Sequence, residues 1–350
     1  MMPVYFAIMA RTNILLPYPI YFAMNNQESS NFDLVQHSHR AAVAVILPAY
    51  NEEITIEATI RAFHAELPHA YFCVVDNNSD DDTKHIARQT LESLECNGGV
   101  IFEGRKGKGN AIRRAFRDIQ ADVYVLADAD LTYPADRVHD MIAPVLANTA
   151  DLVVGDRHSG GHYEAENKRA LHGLGNRLVR VLVNRLFDAR LRDIMSGYRV
   201  FNRLFVKNYP ILVEGFEIET DMTLHALDKR FRILEIPVEY KDRPAGSVSK
   251  LITLSDGLRV LFTIARILRY YRPLVFFGCA SILLASAGFI AATPVFNDWI
   301  THRYVYHLPL AILATGLEIV AVTMIAIGLI LDSISHQNKC LFESTILKRQ

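Results

Sequence analysis

VAVILPAYNEE, residues 43–53, is an apolar run that ends at Pro48 and turns polar at once. Five such residues bounded this way predict a buried strand, and Ile56, Ile60, Phe63 and Leu67 then recur at helical spacing. The same alternation continues downstream. YFCVV (71–75) predicts a second strand, with a helix starting near Thr83. VIF (100–102) predicts a third, and Ile112, Ala115, Phe116 and Ile119 make the next helical stripe. VYVLA (123–127) and DLVVG (151–155) predict a fourth and a fifth. Continuously apolar strands separated by helices imply an α/β unit: a mostly parallel sheet with helices on both faces. In such sheets ligands sit beyond the carboxyl ends of the strands, so the polar residues after each strand are the ones to read.

The 350 residues carry 37 Lys+Arg against 38 Asp+Glu, a net charge of -1, so no basic excess points to nucleic acid. Only 21% of residues are charged, and the mean hydropathy is +0.13, which predicts that apolar residues concentrate in membrane-length runs. Leu274–Phe296 and Leu308–Leu331, of 23 and 24 residues, are such runs and contain no Lys or Arg. Each spans about 35 Å, enough for a hydrocarbon core of about 30 Å. Lys250, Arg259, Arg266, Arg269 and Arg272 precede the pair, and Lys339, Lys348 and Arg349 follow it. By the positive-inside rule both flanks, and the large domain before them, face the cytoplasm. Glu318 lies mid-span, where a carboxylate costs about 2.5–3.5 kcal/mol on insertion scales, so it is expected to face a partner helix in the hairpin or in another subunit.

The reading therefore divides the chain into an α/β domain (41–245), an amphipathic interface helix (246–273), two transmembrane helices (274–332) and a cytoplasmic tail (333–350). The interface helix is read from the stripe Leu251, Leu254, Leu258, Leu261, Ala265 and Leu268, with Arg259 and Arg266 off it; a helix facing the core is the alternative. Residues 1–40 read as an extension, either disordered or preceding a start at Met24; Pro3, Arg11, Pro17 and Pro19 spoil it as a membrane span. Cys73, Cys96, Cys279 and Cys340 are too scattered for a disulfide framework or a zinc site.

Three acidic clusters follow three strands: Asn51-Glu52-Glu53, Asp76 with Asp80-Asp81-Asp82, and Asp128-Ala129-Asp130. Singly, each has a plain reading as a cap or turn. Together they would converge on one sheet edge, where facing carboxylates need a cation; hard oxygen donors favour Mg²⁺ or Mn²⁺, and such an ion recruits a diphosphate. Lys106-Gly107-Lys108-Gly109 opens a helix, as an anion site or a surface turn would. His158 with His162, and His37 with His39, lack a third ligand at useful spacing and read as surface residues.

VILPAYNEE (45–53), VVDNNSDDDT (74–83), RKGKGNAIRRAF (105–116) and DADLTYP (128–134), in this order, resemble a family 2 glycosyltransferase with the GT-A fold. VVGDRH (153–158), DIMSGYRVF (193–201), GFEIETDM (215–222) and YKDRPAGSVSK (240–250), followed by the apolar runs, are similar to the polyprenyl-phosphate glycosyltransferases, the group of dolichyl-phosphate mannose synthase and its undecaprenyl-phosphate relatives. The resemblance implies a nucleotide-diphosphate sugar donor, a polyprenyl phosphate acceptor and a divalent metal. It places Pro48, Tyr50, Glu52 and Asp76 at the nucleotide, with Lys108 in the adjoining glycine loop, and Asp128 and Asp130 at the metal. Arg157, Arg169, Arg243 and Lys250, with Ser249 beside them, fall near the acceptor phosphate, and Asp221 near the sugar, with Glu217 and Glu219 beside it. Thr132 stands where relatives often have Gln, and Gly173 where they often have Ser.

A phosphate monoester, with its second pKa near about 6, is already a nucleophile at neutral pH, so the expected reaction needs positioning and charge stabilisation more than a base. In-line attack would invert the anomeric carbon. Two further readings stay open: transfer to a lipid-linked glycan or other cell-envelope acceptor, and a membrane-anchored nucleotide-sugar binding protein without turnover. A processive polysaccharide synthase is disfavoured because the Q-x-x-R-W motif is absent and the single Trp, Trp299, lies between the spans.

Overall fold

Val45 and Leu47 leave the first strand on one side and Ala44 and Ile46 on the other, and all four are fully buried, as a strand covered on both faces requires. In the computed structural model, which describes residues 41–159, 170–215, 217–241 and 256–348, this strand is β1 (Ala41–Ala49), an interior strand of a seven-stranded sheet. The others are β2 (Tyr71–Asp76), β3 (Asn97–Phe102), β4 (Ala121–Leu126), β5 (Leu152–Asp156), β6 (Arg199–Asn202) and β7 (Ile233–Pro237), in the order β3-β2-β1-β4-β6-β5-β7. β1 to β4 are parallel, and β6 runs antiparallel to both β4 and β5. β5 and β7 are parallel. The five expected strands are present; β6 and β7 are additions.

Helices α1 (Ile56–Glu66), α2 (Thr83–Ser93) and α4 (Val138–Leu146) pack on one face. Helices α3 (Lys108–Asp118), α6 (Arg203–Asn208) and α7 (Ile218–Asp228) pack on the other, around Phe116, Phe201, Phe205 and Met222. Helix α5 (Ala170–Phe187) joins α7 and α8 (Asp256–Tyr271) in a smaller cluster of Val179, Val183, Ile194, Leu224 and Ile267. The face of α8 turned to this cluster bears Ile264, Ile267 and Tyr271, one residue out of phase with the expected stripe. Part of its apolar surface therefore covers the catalytic domain.

Two helices follow, α9 (Pro273–His302) and α10 (Leu308–Leu347), of 30 and 40 residues, both long and apolar enough to cross a membrane. They pack as a hairpin through small residues at sevenfold spacing: Ser281 and Gly288 on α9, and Ala314, Ala321 and Gly328 on α10, are buried. Close backbone approach through small side chains is how helices associate in lipid, and Ser281 donates a hydrogen bond to the Ala321 carbonyl at 2.7 Å. Glu318 lies against Gly288, where an added Cβ would come within 2.6 Å of its Oε1. The partner it faces is thus the other arm of the hairpin. Residues 333–347, read as a tail, continue α10 without a break.

Candidate active site

The parallel register brings the ends of β1, β2 and β4 level, with Ala49 opposite Asp76 and Ile46 opposite Leu126. Tyr50, Glu52, Asp76, Asp128 and Asp130 accordingly emerge at one edge of the sheet. Asp76 is buried, and its Oδ1 accepts from the Ser79 amide at 3.2 Å. Glu52 is buried too; its amide donates to the Thr83 hydroxyl at 2.7 Å and its carboxylate accepts from the Thr55 hydroxyl at 3.1 Å. Asn51 takes a left-handed φ of 52°, so that its side-chain oxygen accepts from the Asp80 amide at 2.8 Å. Pro48 is the penultimate residue of β1, opposite Val75. The Tyr50 hydroxyl accepts from Lys106 at 3.1 Å.

Asp128 and Asp130 leave β4 in different environments. Asp130 is 2% exposed and its Oδ1 accepts from both the amide and the hydroxyl of Thr132, at 3.2 and 2.5 Å. Thr132 therefore orients the carboxylate from its own backbone turn, which Leu131 tightens with a left-handed φ of 61°. Asp128 is more open and is bonded by Lys108, which also donates to Glu219 at 2.5 Å. Burial alone would lower the pKa of the Lys108 ammonium, but the Asp128 and Glu219 carboxylates outweigh it and hold it above its ordinary value. Gly197 makes room for Asp128: a Cβ there would lie 2.7 Å from its Oδ2.

Lys108 reaches this position because the glycines beside it permit close packing. Gly107 has φ 127°, and Cβ atoms on Gly107 and Gly109 would fall 2.2 and 2.1 Å from the Glu214 and Val213 carbonyl oxygens. The Gly109 amide donates to Glu214 at 2.9 Å, and the Gly107 amide to the Asn77 side chain at 2.7 Å. The glycine loop is thus braced against the chain before α7, and its lysine is what points at the acidic edge.

Glu219 and Asp221 part company on α7. Two helical positions differ by about 200° in direction, so only one can face the strand ends. Glu219 does; Asp221 accepts from Tyr209 at 2.7 Å and is also bonded by Tyr271 of α8. Burial pushes the Asp221 carboxyl up, against these two hydrogen bonds. Glu219 thus joins Lys108 and Asp128, while Asp221, expected near the sugar, bonds Tyr209 and joins α7 to α8 through Tyr271.

Arg157 follows β5 directly but is not a bare cation. Its guanidinium donates to both oxygens of Asp193, at 2.7 and 3.0 Å, and lies 5.6 Å from the Tyr240 ring centre. Burial would raise the Asp193 carboxyl, but Arg157 outweighs it and holds it below the usual carboxylate range. The loop carrying Asp193 and Gly197 is shaped by Arg199, wholly buried, which donates to the carbonyls of Ile194 and Ser196 and to the Thr223 hydroxyl. Arg169, Arg243, Ser249 and Lys250 lie outside the described residues.

The family model for Glycosyl transferase family 2 matches residues 44–209, the segment holding every one of these strand-end groups except Glu219 and Tyr240. The chain belongs to glycosyl transferase family 2. It is 29% identical to glycosyltransferase AglJ of Haloferax volcanii over 294 residues, 84% of this chain and 93% of that one. It is 27% identical to dolichol-phosphate mannosyltransferase of Pyrococcus furiosus over 230 residues, 64% of each chain. Among solved structures, glucosyl-3-phosphoglycerate synthase of Mycobacterium tuberculosis superposes with a TM-score of 0.51 at 21% identity, over 65% of this chain and 80% of that one, which shows the shared GT-A fold. That enzyme has been solved with Mn²⁺, UDP and glucosyl-3-phosphoglycerate. This chain is therefore a glycosyltransferase with a mostly parallel GT-A sheet and two C-terminal apolar helices.

Proposed function

We propose that this glycosyltransferase moves a hexose from a nucleotide-diphosphate sugar to a polyprenyl phosphate, undecaprenyl or dolichyl, with inversion, at the cytoplasmic face of a membrane that α9 and α10 span. The observation that carries the reading is the joining of one acidic strand-end edge, Asp76, Asp128 and Asp130, to a two-helix apolar hairpin in the same chain. The P. furiosus relative, named for a dolichol-phosphate acceptor, supports it.

Among the described residues no three metal-binding side chains cluster, so Asp128 and Asp130 would supply two oxygens and the donor diphosphate and water the rest. Mg²⁺ and Mn²⁺ accept such mixed oxygen shells. The close approach of the Asp128 carboxylate to Gly197, with Asp130 held by Thr132 two residues on, sets two carboxylates after one strand, and the Mn²⁺ held by the fold relative supports this reading. When bound, the ion would stabilise the departing diphosphate.

The chain's own residues do the rest. Tyr50, Glu52 and Asp76 hold the nucleotide, and Lys108 offers its charge to the diphosphate. An acceptor phosphate oxygen attacks the anomeric carbon, the bond from that carbon to the diphosphate oxygen breaks, and the electron pair leaves with the nucleoside diphosphate. No proton need move, because the acceptor is already anionic. Arg157, held by Asp193, and Arg169, Arg243, Ser249 and Lys250 are the candidates to bind the acceptor phosphate. Incubating membranes that contain the protein with a panel of radiolabelled nucleotide sugars, Mn²⁺ or Mg²⁺, and undecaprenyl or dolichyl phosphate tests the reading. A new lipid-extractable label is expected; label appearing only on a preformed lipid-linked glycan would replace it with the glycan-acceptor reading.

A further inference from the structure

The membrane hairpin holds the catalytic domain at a second place, far along the chain from the linker that joins them. The apolar run of α10 ends at Leu331, yet the helix continues to Leu347. Sixteen further residues project about 24 Å, and Asp332, His336, Lys339 and Glu343 make this stretch unsuited to lipid. Lys339 pairs with Asp228 at 2.7 Å. Three residues on and on the same side of the helix, the Phe342 ring lies 6.0 Å from the rings of both His225 and Phe231. Lys229, itself paired with Asp228 at 3.2 Å, sits 5.2 Å above the Phe342 ring.

Every one of these partners belongs to the last turn of α7 or the residues just after it. The first turn of the same helix carries Glu219 into the acidic edge and Asp221 onto Tyr271 of α8. An 11-residue helix is a rod of about 16 Å. It is gripped by α8 near its start and by α10 at its end. A domain tied at one point rocks about it; two separated ties remove that freedom.

We propose that residues Asp332–Leu347 of α10 are a strut that fixes the tilt and height of the catalytic domain over the bilayer, so that the site meets an acceptor held at headgroup depth. The inference rests on the polyprenyl-phosphate reading above. A water-soluble acceptor finds the site in any orientation; a membrane-borne one does not, and small misplacements of reactants are costly.

The experiment uses the full chain in nanodiscs and the double variant Lys339→Glu/Phe342→Ala. Transfer to a long-chain polyprenyl phosphate in the bilayer is expected to fall at least tenfold. Transfer to a short-chain, water-soluble prenyl phosphate in detergent is expected to stay within twofold. The charge swap Asp228→Lys/Lys339→Asp, with Phe342 kept, should recover most of the bilayer activity. Orientation is read apart from activity, by energy transfer from a fluorophore on Leu146→Cys, in a background lacking Cys96, Cys279 and Cys340, to a headgroup dye. The efficiency should shift in the double variant. Equal loss with both acceptors, or an unshifted efficiency, would overturn the strut. If the parent protein itself labels neither acceptor, the acceptor reading falls, and a shifted efficiency in the double variant leaves the strut standing.

Discussion

The catalytic domain and the hairpin are built inside out relative to each other. In the domain the buried side chains are large: Phe63, Phe72, Phe201 and Phe205 fill the two sheet faces. In the hairpin the buried ones are Ser281, Gly288, Ala314, Ala321 and Gly328, while Ile282, Leu283, Phe289 and Ile290 point outward. Water drives the first arrangement by expelling apolar surface. The second suits a solvent as apolar as leucine itself, where contact between backbones decides packing. Buried polar groups differ in the same way. Those of the domain gather at the strand ends in bonded sets, whereas the hairpin holds Ser281 and Glu318 along its length and one bonded set at its turn, Asp298 with Tyr306 and His307.

The largest effect is expected where the domain concentrates those polar groups. Asp130→Asn keeps the size of the side chain and leaves the Thr132 bonds possible, so the fold should survive. Transfer should fall on the order of 10²–10³ through weakened stabilisation of the leaving diphosphate. Circular dichroism and the thermal midpoint should match the parent. Near-normal turnover at modest Mn²⁺ would remove Asp130 from the metal site.

A paired truncation sharpens the contrast itself. Phe63 is 1% exposed and Phe289 75% exposed. Phe63→Ala should destabilise the protein by about 3–5 kcal/mol, and Phe289→Ala should change the thermal midpoint in nanodiscs hardly at all. Similar losses from both would mean that the outer face of α9 is covered by protein, not lipid.

The two regions also differ in how much of them the sequence disclosed. The hairpin reads from composition alone, because lipid demands a long uninterrupted apolar run. In the domain, β1, β2 and β4 read from short apolar runs, and Asp128 and Asp130 from the abrupt polarity after them. β6 is four residues long and starts with Arg199, a charged residue that is wholly buried because the chain's own carbonyls satisfy it; no apolar pattern betrays such a strand. Glu219 reads in the sequence as a neighbour of Asp221, and the two are not told apart for a related reason. α7 is buried on most sides, so no apolar stripe sets its phase, and phase is what separates Glu219 from Asp221. Asp193 lies 36 residues from Arg157, and only the fold makes them partners.

A smaller effect is expected where the two regions meet. His225 packs against Phe205, Phe231 and Phe342. Burial, helped by Lys229 and opposed by Asp228, lowers its pKa to about 4. The unfolded chain, with an ordinary histidine near 6.5, therefore binds a proton first as pH falls. The associated stability is complete above pH 6.5 and is lost as pH drops toward 4, by about 3 kcal/mol at most. His225→Phe keeps the ring contacts and removes the titration. Its thermal midpoint should fall less steeply than the parent's between pH 6.5 and 4.5. Parallel pH profiles would show that this histidine is not neutral and buried in solution.

The smallest effect is expected at Glu318, the one carboxylate in the middle of the hairpin. Its Oε1 is buried and makes no hydrogen bond among the described residues, and it rests over Gly288 on the opposite arm. Turned inward, it is poorly placed to recruit a second copy of the chain. Polar contacts between membrane helices average only about 0.6 kcal/mol where they have been measured, and here no bond is made. Glu318→Leu removes a polar atom from an apolar contact and fills similar volume. The thermal midpoint should stay level or rise by a degree or two, and the sedimentation of the detergent complex should be unchanged. A variant that falls apart from a larger assembly would place Glu318 between subunits and give the middle of the hairpin a polar contact of the kind found in the domain.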